Sequence, residues 1–203
     1  MPSRHLRDLP STIRSAPPPA GVQTQIVAVD GAGGAGKSSF ARWLAQRLGE
    51  APVIHTDDFA SWDNPIDWWP RLLPLVLQPL AAGKPARYHP TAWGEHERQL
   101  IEIEPGGTVI LEGVTSSRKA FQPFLAYSIW IETPRDERLK RGLARDGTDA
   151  RAQWEQWMEA EDRYIEDEHP DRRADMILRG DDGSWTTRLG SAADDDSEFR
   201  NDP

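Results

Sequence analysis

Four groups of residues in this chain have the types and spacing to handle phosphate. The first is GAGGAGKS, residues 31–38, which fits G-x-x-x-x-G-K-[ST]. Gly31, Gly33, Gly34, Ala35 and Gly36 let the backbone curl so that successive N–H groups meet phosphate oxygens, and the helix that opens there adds its positive end. Lys37 is spaced to reach the β- and γ-phosphates and the Ser38 hydroxyl to ligate Mg2+, while Ser39 carries the loop into the helix. At ~7% glycine usage a chance match in such a chain is roughly a one-per-cent event. The second group is Asp57 and Asp58, in HTDDFASW (55–62), where a short apolar strand runs out. Either carboxylate could accept a proton from a hydroxyl there, and Asp58 could instead cap the next segment. The third is Glu112, directly before Gly113 at the end of another apolar run. A carboxylate buried at that place is costly without a cation, which suits a Mg2+ ligand. The fourth is Arg138, Arg141 and Arg145, at spacings of three and four on one helix face. Their planar forks suit a transferring phosphoryl group, as a lid around residues 135–150. Pairing with Asp136, Glu137 and Asp146 on a solvated face is the other use of such charges.

These groups need elements to hold them. QIVAVD (25–30), PVIHTD (52–57), GGTVILEG (106–113), AYSIWIET (126–133) and ADMILRG (174–180) read as five buried strands. Between them, residues 38–48 place Phe40, Trp43, Leu44 and Leu48 at helical spacing. Residues 149–168 read as a long helix with Trp154, Trp157, Met158, Glu161 and Ile165 on one side, of which Trp154, Trp157 and Met158 read as core. Pro134 suits the first turn of the arginine-bearing helix, and Pro70, Pro74 and Pro79 break the apolar run 66–83 into pieces. Strands alternating with helices predict a parallel five-stranded sheet sandwiched between helices, an α/β fold in one domain over residues 22–188. Residues 1–21 read as a flexible arm, with a transit peptide as the alternative, and 189–203 as a disordered acidic tail.

The 203 residues carry a net charge of -9, which speaks against bulk nucleic-acid or anionic-membrane partners but leaves room for a small anion at a local positive site. There is no cysteine, so disulfides, thiolate catalysis and cysteine-ligated zinc are excluded. No apolar run approaches the ~20 residues of a membrane helix, and the expected location is the cytoplasm. His55 reads as a core histidine, and His89 and His96 lack metal-ligand spacing. No N-K-x-D segment is present to read guanine.

VDGAGGAGKSSFARWLAQRL, VIHTDDF, TVILEGV and RDERLKRGLARDG together resemble the uridine kinase-like family of P-loop kinases, its small bacterial members above all, over roughly residues 24–180. The resemblance implies a P-loop kinase fold with a helical Arg-bearing lid and transfer of the γ-phosphate of ATP, with Mg2+, to the 5′-hydroxyl of uridine or cytidine. It implies Asp57 as general base and Mg2+ partner, Ser38 and Glu112 as Mg2+ ligands, and Arg138, Arg141 and Arg145 as lid arginines. Asp58, Phe59, Tyr88 and Trp93 would meet the acceptor, and Arg179 would lie near the adenine. The chain departs from the family at the acceptor: Ala60 replaces a tyrosine, and His89 and Ala92 stand where an aspartate is expected. Trp62, Trp68, Trp69 and Trp93 could stack a flat acceptor or fill the core. The expected activity is therefore a small-molecule kinase, with a nucleoside as first acceptor. A sugar, a vitamin precursor, an antibiotic hydroxyl, or a nucleotide-binding regulator without transfer are the alternatives. Monomer and homodimer both remain open.

Overall fold

The computed structural model describes residues 4–61, 64–91, 99–181 and 184–189. Its strands are β1 (Gln25–Asp30), β2 (Val53–His55), β3 (Ala86–Tyr88), β4 (Ile101–Ile103), β5 (Thr108–Glu112), β6 (Leu125–Glu132), β7 (Met176–Asp181) and β8 (Ser184–Leu189). Five of them form the expected parallel sheet in the order β2-β5-β1-β6-β7, and β8 adds an antiparallel edge to β7. The chain winds from β1 outward to β2, returns through β5, and crosses β1 to reach β6. Ligands in such sheets bind beyond the carboxyl ends of the strands, where the winding reverses, here around the end of β1.

Both faces of the sheet are buried, which is why its strands read as continuous apolar runs. On one face Val27 and Val29 pack with Phe40, Ala41 and Leu44 of the helix α2 (Lys37–Arg47). On the other, Ile26 and Ala28 pack with Leu72, Leu77 and Phe121. The prolines fragment the segment after β2 as expected: a 3-10 turn at Trp69–Arg71, a π turn at Leu73–Leu77 and the single-turn α3 (Gln78–Ala81).

The N-terminal segment differs from the expected flexible arm. Residues Arg4–Ser15 form the helix α1, and Leu6, Leu9 and Ile13 are buried in the same cluster as α2. Spacings of three and four put these three side chains on one helix stripe, an apolar signal scattered among arginines and serines. The Gln25 Nε2 donates to the Ile13 carbonyl at 2.7 Å and so satisfies one of the helix's terminal acceptors. The remaining helices are α4 (Arg135–Asp146), α5 (Arg151–Glu168) and α6 (Pro170–Arg173). The acidic stretch 190–203, Trp62, Trp93, Ala92 and His96 lie outside the described residues. No helix among the described residues is long and apolar enough to cross a membrane.

Candidate functional site

β1 ends at Asp30, and residues 31–36 turn into α2, whose first residue is Lys37. The turn demands glycine in particular places. Gly34 has φ +77°, and a Cβ there would lie 2.6 Å from the Arg138 carbonyl oxygen; Gly36 sits at φ 99° as the cap of α2. Gly33, Gly34, Gly36, Lys37, Ser38 and Ser39 line a cleft of about 710 Å³ at the strand ends, while Gly31 and Ala35 lie behind it. Lys37 is buried, and its Nζ donates to the Ala32 carbonyl at 3.0 Å.

The strand-end carboxylates reach the same cleft. Glu112 is 4% exposed, and its Oε1 accepts from the Ser38 hydroxyl at 3.0 Å. Register places His55 opposite Glu112 across β2 and β5, and His55 Nδ1 stands 2.6 Å from Glu112 Oε2. Burial by itself raises the Glu112 carboxyl, but the His55 hydrogen bond, the Lys37 charge and the Ser38 hydroxyl outweigh it and hold the group below its ordinary value. The His55 ring is raised, chiefly by its hydrogen bond to Glu112. His55 thus lines the cleft and is not the core residue expected. Ser38 and Glu112 offer two adjacent hard oxygens. A Mg2+ ion held there would complete its octahedron with water and phosphate oxygens, a donor set that suits this cation.

Asp57 and Asp58 form a 3-10 turn with Thr56. Both line the cleft, but Asp57 is exposed to it, whereas Asp58 is buried and accepts from the Tyr88 hydroxyl at 3.2 Å. Gly113 permits this turn to sit against β5, since a Cβ there would fall 1.8 Å from Thr56 Oγ1.

The three arginines separate. Arg141 and Arg145 line the cleft from α4, held by Glu137 at 3.0 Å and Asp146 at 2.8 Å. Arg145 also lies over the Trp154 ring, 5.5 Å from its centroid. Arg138 is 6% exposed and does not line the cleft. Its Nη1 pairs with Glu161 Oε2 at 3.1 Å and its Nε donates to the Thr133 carbonyl at 3.2 Å.

The expected acceptor residues are largely core. Phe59 and Tyr88 are 2% and 3% exposed and stack with ring centroids 4.8 Å apart, so neither lines the cleft. Trp68 is buried against Phe59 and Phe121, and Trp69 packs on the same cluster. Arg179 is paired across the sheet with Glu132 at 2.6 Å, away from the phosphate cleft. Trp154 and Trp157, by contrast, wall the cleft from α5 instead of filling the core alone. Trp157 also borders a second cavity of about 510 Å³ between residues 64–67 and α5. Arg118 and Arg163 line it with Asp67, Asp167 and Glu168, and the Tyr164 ring closes one side. On α5 this cavity is lined by Gln153, Gln156, Trp157, Ala160, Arg163 and Tyr164, at spacings of three and four that place them on one helix face.

No family model matches the chain, and no curated protein matches it in sequence. Solved structures are similar to it in fold, two of them named as kinases. A possible uridine kinase from Bacillus stearothermophilus aligns with a TM-score of 0.64 and 22% identity over 85% of this chain and 98% of that one. A candidate fructose transport system kinase from Silicibacter sp. TM1040 aligns with a TM-score of 0.62 and 22% identity over 82% of this chain and 96% of that one. At this identity the likeness shows a shared fold alone, in this chain an α/β domain with a five-stranded parallel sheet.

Proposed function

We propose that the chain is an ATP- and Mg2+-dependent phosphotransferase that moves the γ-phosphate to a hydroxyl of a small molecule. One observation carries this reading: a single cleft gathers the glycine-rich turn, Lys37, the Ser38–Glu112 pair, the exposed carboxylate of Asp57 and two arginines. The cradle, Ser38 and Glu112 already serve nucleotide and Mg2+, so the further carboxylate of Asp57, exposed in the cleft, supports transfer over binding alone.

In the mechanism, the N–H groups of Gly34, Gly36, Lys37 and Ser38 and the Lys37 ammonium hold the β- and γ-phosphates. Ser38 and Glu112 are the residues that would hold Mg2+, which when bound neutralises charge on the phosphate oxygens. Asp57 accepts the hydroxyl proton as the acceptor oxygen bonds to the γ-phosphorus. The bond from that phosphorus to the β–γ bridging oxygen breaks, and ADP leaves. Arg141 and Arg145 balance the charge spread over the transferring group. Asp58 is tied to Tyr88 and positions the turn that carries Asp57.

The acceptor fits the second cavity, which shares Trp157 with the phosphate cleft. Its two basic and three acidic side chains leave it close to neutral, which suits an uncharged hydroxylated molecule. The Trp157 and Tyr164 rings beside Asn64, Gln153 and Gln156 favour a flat base joined to a sugar, and hence a nucleoside. A free sugar is the second reading, supported by the structural likeness to a candidate fructose transport system kinase.

A coupled assay of ADP release with a panel of nucleosides, sugars and other alcohols tests the proposal. Turnover with an acceptor that Lys37→Ala abolishes is the expected result. A panel without turnover, from a protein that binds ATP tightly, would make it a nucleotide-binding regulator instead.

A further inference from the structure

The N–H of Gly33, inside the glycine-rich turn, is already taken. It donates to Glu161 Oε1 at 2.7 Å, and Glu161 is fully buried on α5. A Cβ at Gly33 would lie 2.9 Å from that oxygen and 3.2 Å from the Trp154 ring, so the peptide is clamped against α5. The neighbouring Gly31 N–H donates to Asp30 Oδ1 at 2.7 Å, and Tyr164, one turn beyond Glu161, donates to Asp30 Oδ2 at 2.7 Å. α5 therefore grips the first half of the turn at two points. Beyond Gly33, Gly34, Gly36, Lys37, Ser38 and Ser39 line the cleft, while the Ala35 N–H donates to the Ala32 carbonyl at 3.2 Å.

A buried carboxylate beside a loop that must accept a polyanion would repel it if left unbalanced. Arg138 supplies the balance at 3.1 Å. It is itself fixed by the Thr133 carbonyl, and Thr133 Oγ1 donates to the Ala35 carbonyl of the turn at 3.2 Å.

We propose that Glu161 is a positioning residue for the phosphate cradle: its carboxylate fixes the Gly33 peptide so that the N–H groups of Gly34, Gly36, Lys37 and Ser38 converge on phosphate. Arg138 is its counter-charge, not a ligand of the transferred group. This rests on the reading of residues 31–38 as a nucleotide cradle. The bond to Gly33 persists when nucleotide is bound, since it holds the loop in shape and takes no phosphate position.

The test compares Glu161→Gln and Glu161→Ala by calorimetric titration with Mg2+ and AMP-PNP, alongside melting temperatures. Both variants lose the charge pair with Arg138 and melt lower. Only the alanine loses the acceptor for Gly33, so its Kd rises roughly tenfold, the worth of one hydrogen bond to a charged group, while the glutamine stays within about threefold. Affinities that fall equally in both variants, or in neither, overturn the inference. Should the alanine variant not fold, hydrogen exchange of the Gly33 amide in the full-length wild type decides. Protection in the free and AMP-PNP-saturated protein is expected; protection lost on saturation would make Glu161 a displaceable stand-in for phosphate and overturn the proposal. A wild type that does not bind AMP-PNP sinks the nucleotide reading and this inference together. Binding that Lys37→Ala abolishes but both Glu161 variants leave untouched sinks this inference alone.

Discussion

His55 Nδ1 lies 2.6 Å from Glu112 Oε2 because the two residues face each other across adjacent parallel strands. Glu112 spends its other oxygen on Ser38, the residue after the cradle lysine. A histidine of the second strand is thus joined through one carboxylate to the phosphate loop, although 74 positions separate Ser38 from Glu112.

This pair carries a pH signature. The His55 ring is raised above its ordinary 6.5, so its contribution to stability is full below that value and is lost as pH rises through the raised one. Glu112 is lowered from its ordinary 4.5, so its contribution is present above that value and is lost as pH falls through the lowered one. The pair stabilises most between these ordinary values. In the absence of Mg2+ and nucleotide, wild type should melt about 1–3 °C above His55→Gln near pH 5.5, with the gap closing toward pH 9. A gap that widens with pH would contradict the pairing.

Asp57 and Asp58 should part in kinetics. Asp57→Asn is expected to lower kcat by ~10²-fold or more while ATP affinity stays within about twofold, as loss of a positioned base does. Asp58→Asn should act mainly on stability, through its bond to Tyr88. Steady-state rates and ATP titration on the two variants check this; activity retained in the first and abolished in the second would exchange the roles.

Arg138 and Arg145 should part in the opposite sense. Arg138→Ala leaves Glu161 buried without its partner, at a cost of about 3–5 kcal/mol, which lowers Tm by on the order of 10 °C. Arg145 is largely exposed, so Arg145→Ala should move Tm by no more than about 2 °C and lower kcat by ~10-fold or more. Thermal melts and initial rates on both variants settle the division.

Gly142 brings α4 onto α5. A Cβ at this position would lie 2.4 Å from Trp154 Cε2. Helix propensity alone favours alanine by ~1 kcal/mol, but forcing the indole aside costs about 1–3 kcal/mol. Gly142→Ala should therefore lower the urea midpoint with an unchanged m-value. A raised midpoint would show that Trp154 yields freely.

Much of this site was legible because it depends on local spacing. Gly31 to Ser38 must be contiguous to wrap phosphate, and a strand-ending acid such as Glu112 announces itself by the apolar run before it. The five parallel strands were legible for the same reason, since burial on both faces leaves continuous runs. β8 was missed: SWTTRL is mostly polar, and only the Asp182-Gly183 dipeptide before it signalled a hairpin. α1 was missed because three apolar residues in a stretch rich in arginine and serine read as a solvated arm until α2 gave them something to cover.

The order of residues carries the chemistry on offer: a glycine-rich cradle with Lys37 and Ser38, acids at strand ends, and arginines along one helix. Which members of each set share a space depends on the folded chain. Spacing put Arg138, Arg141 and Arg145 on one face, but an α-helical face is wide enough for two arginines to meet the cleft while the third turns into α5. The adjacent Asp57 and Asp58 were alike as letters until Tyr88 claimed one of them. Tyr88 and Phe59, expected at the acceptor, belong to the core because they pack on each other and on Trp68 in one buried cluster. Such choices rest on contacts between residues tens of positions apart, and periodicity along the chain carries no record of them.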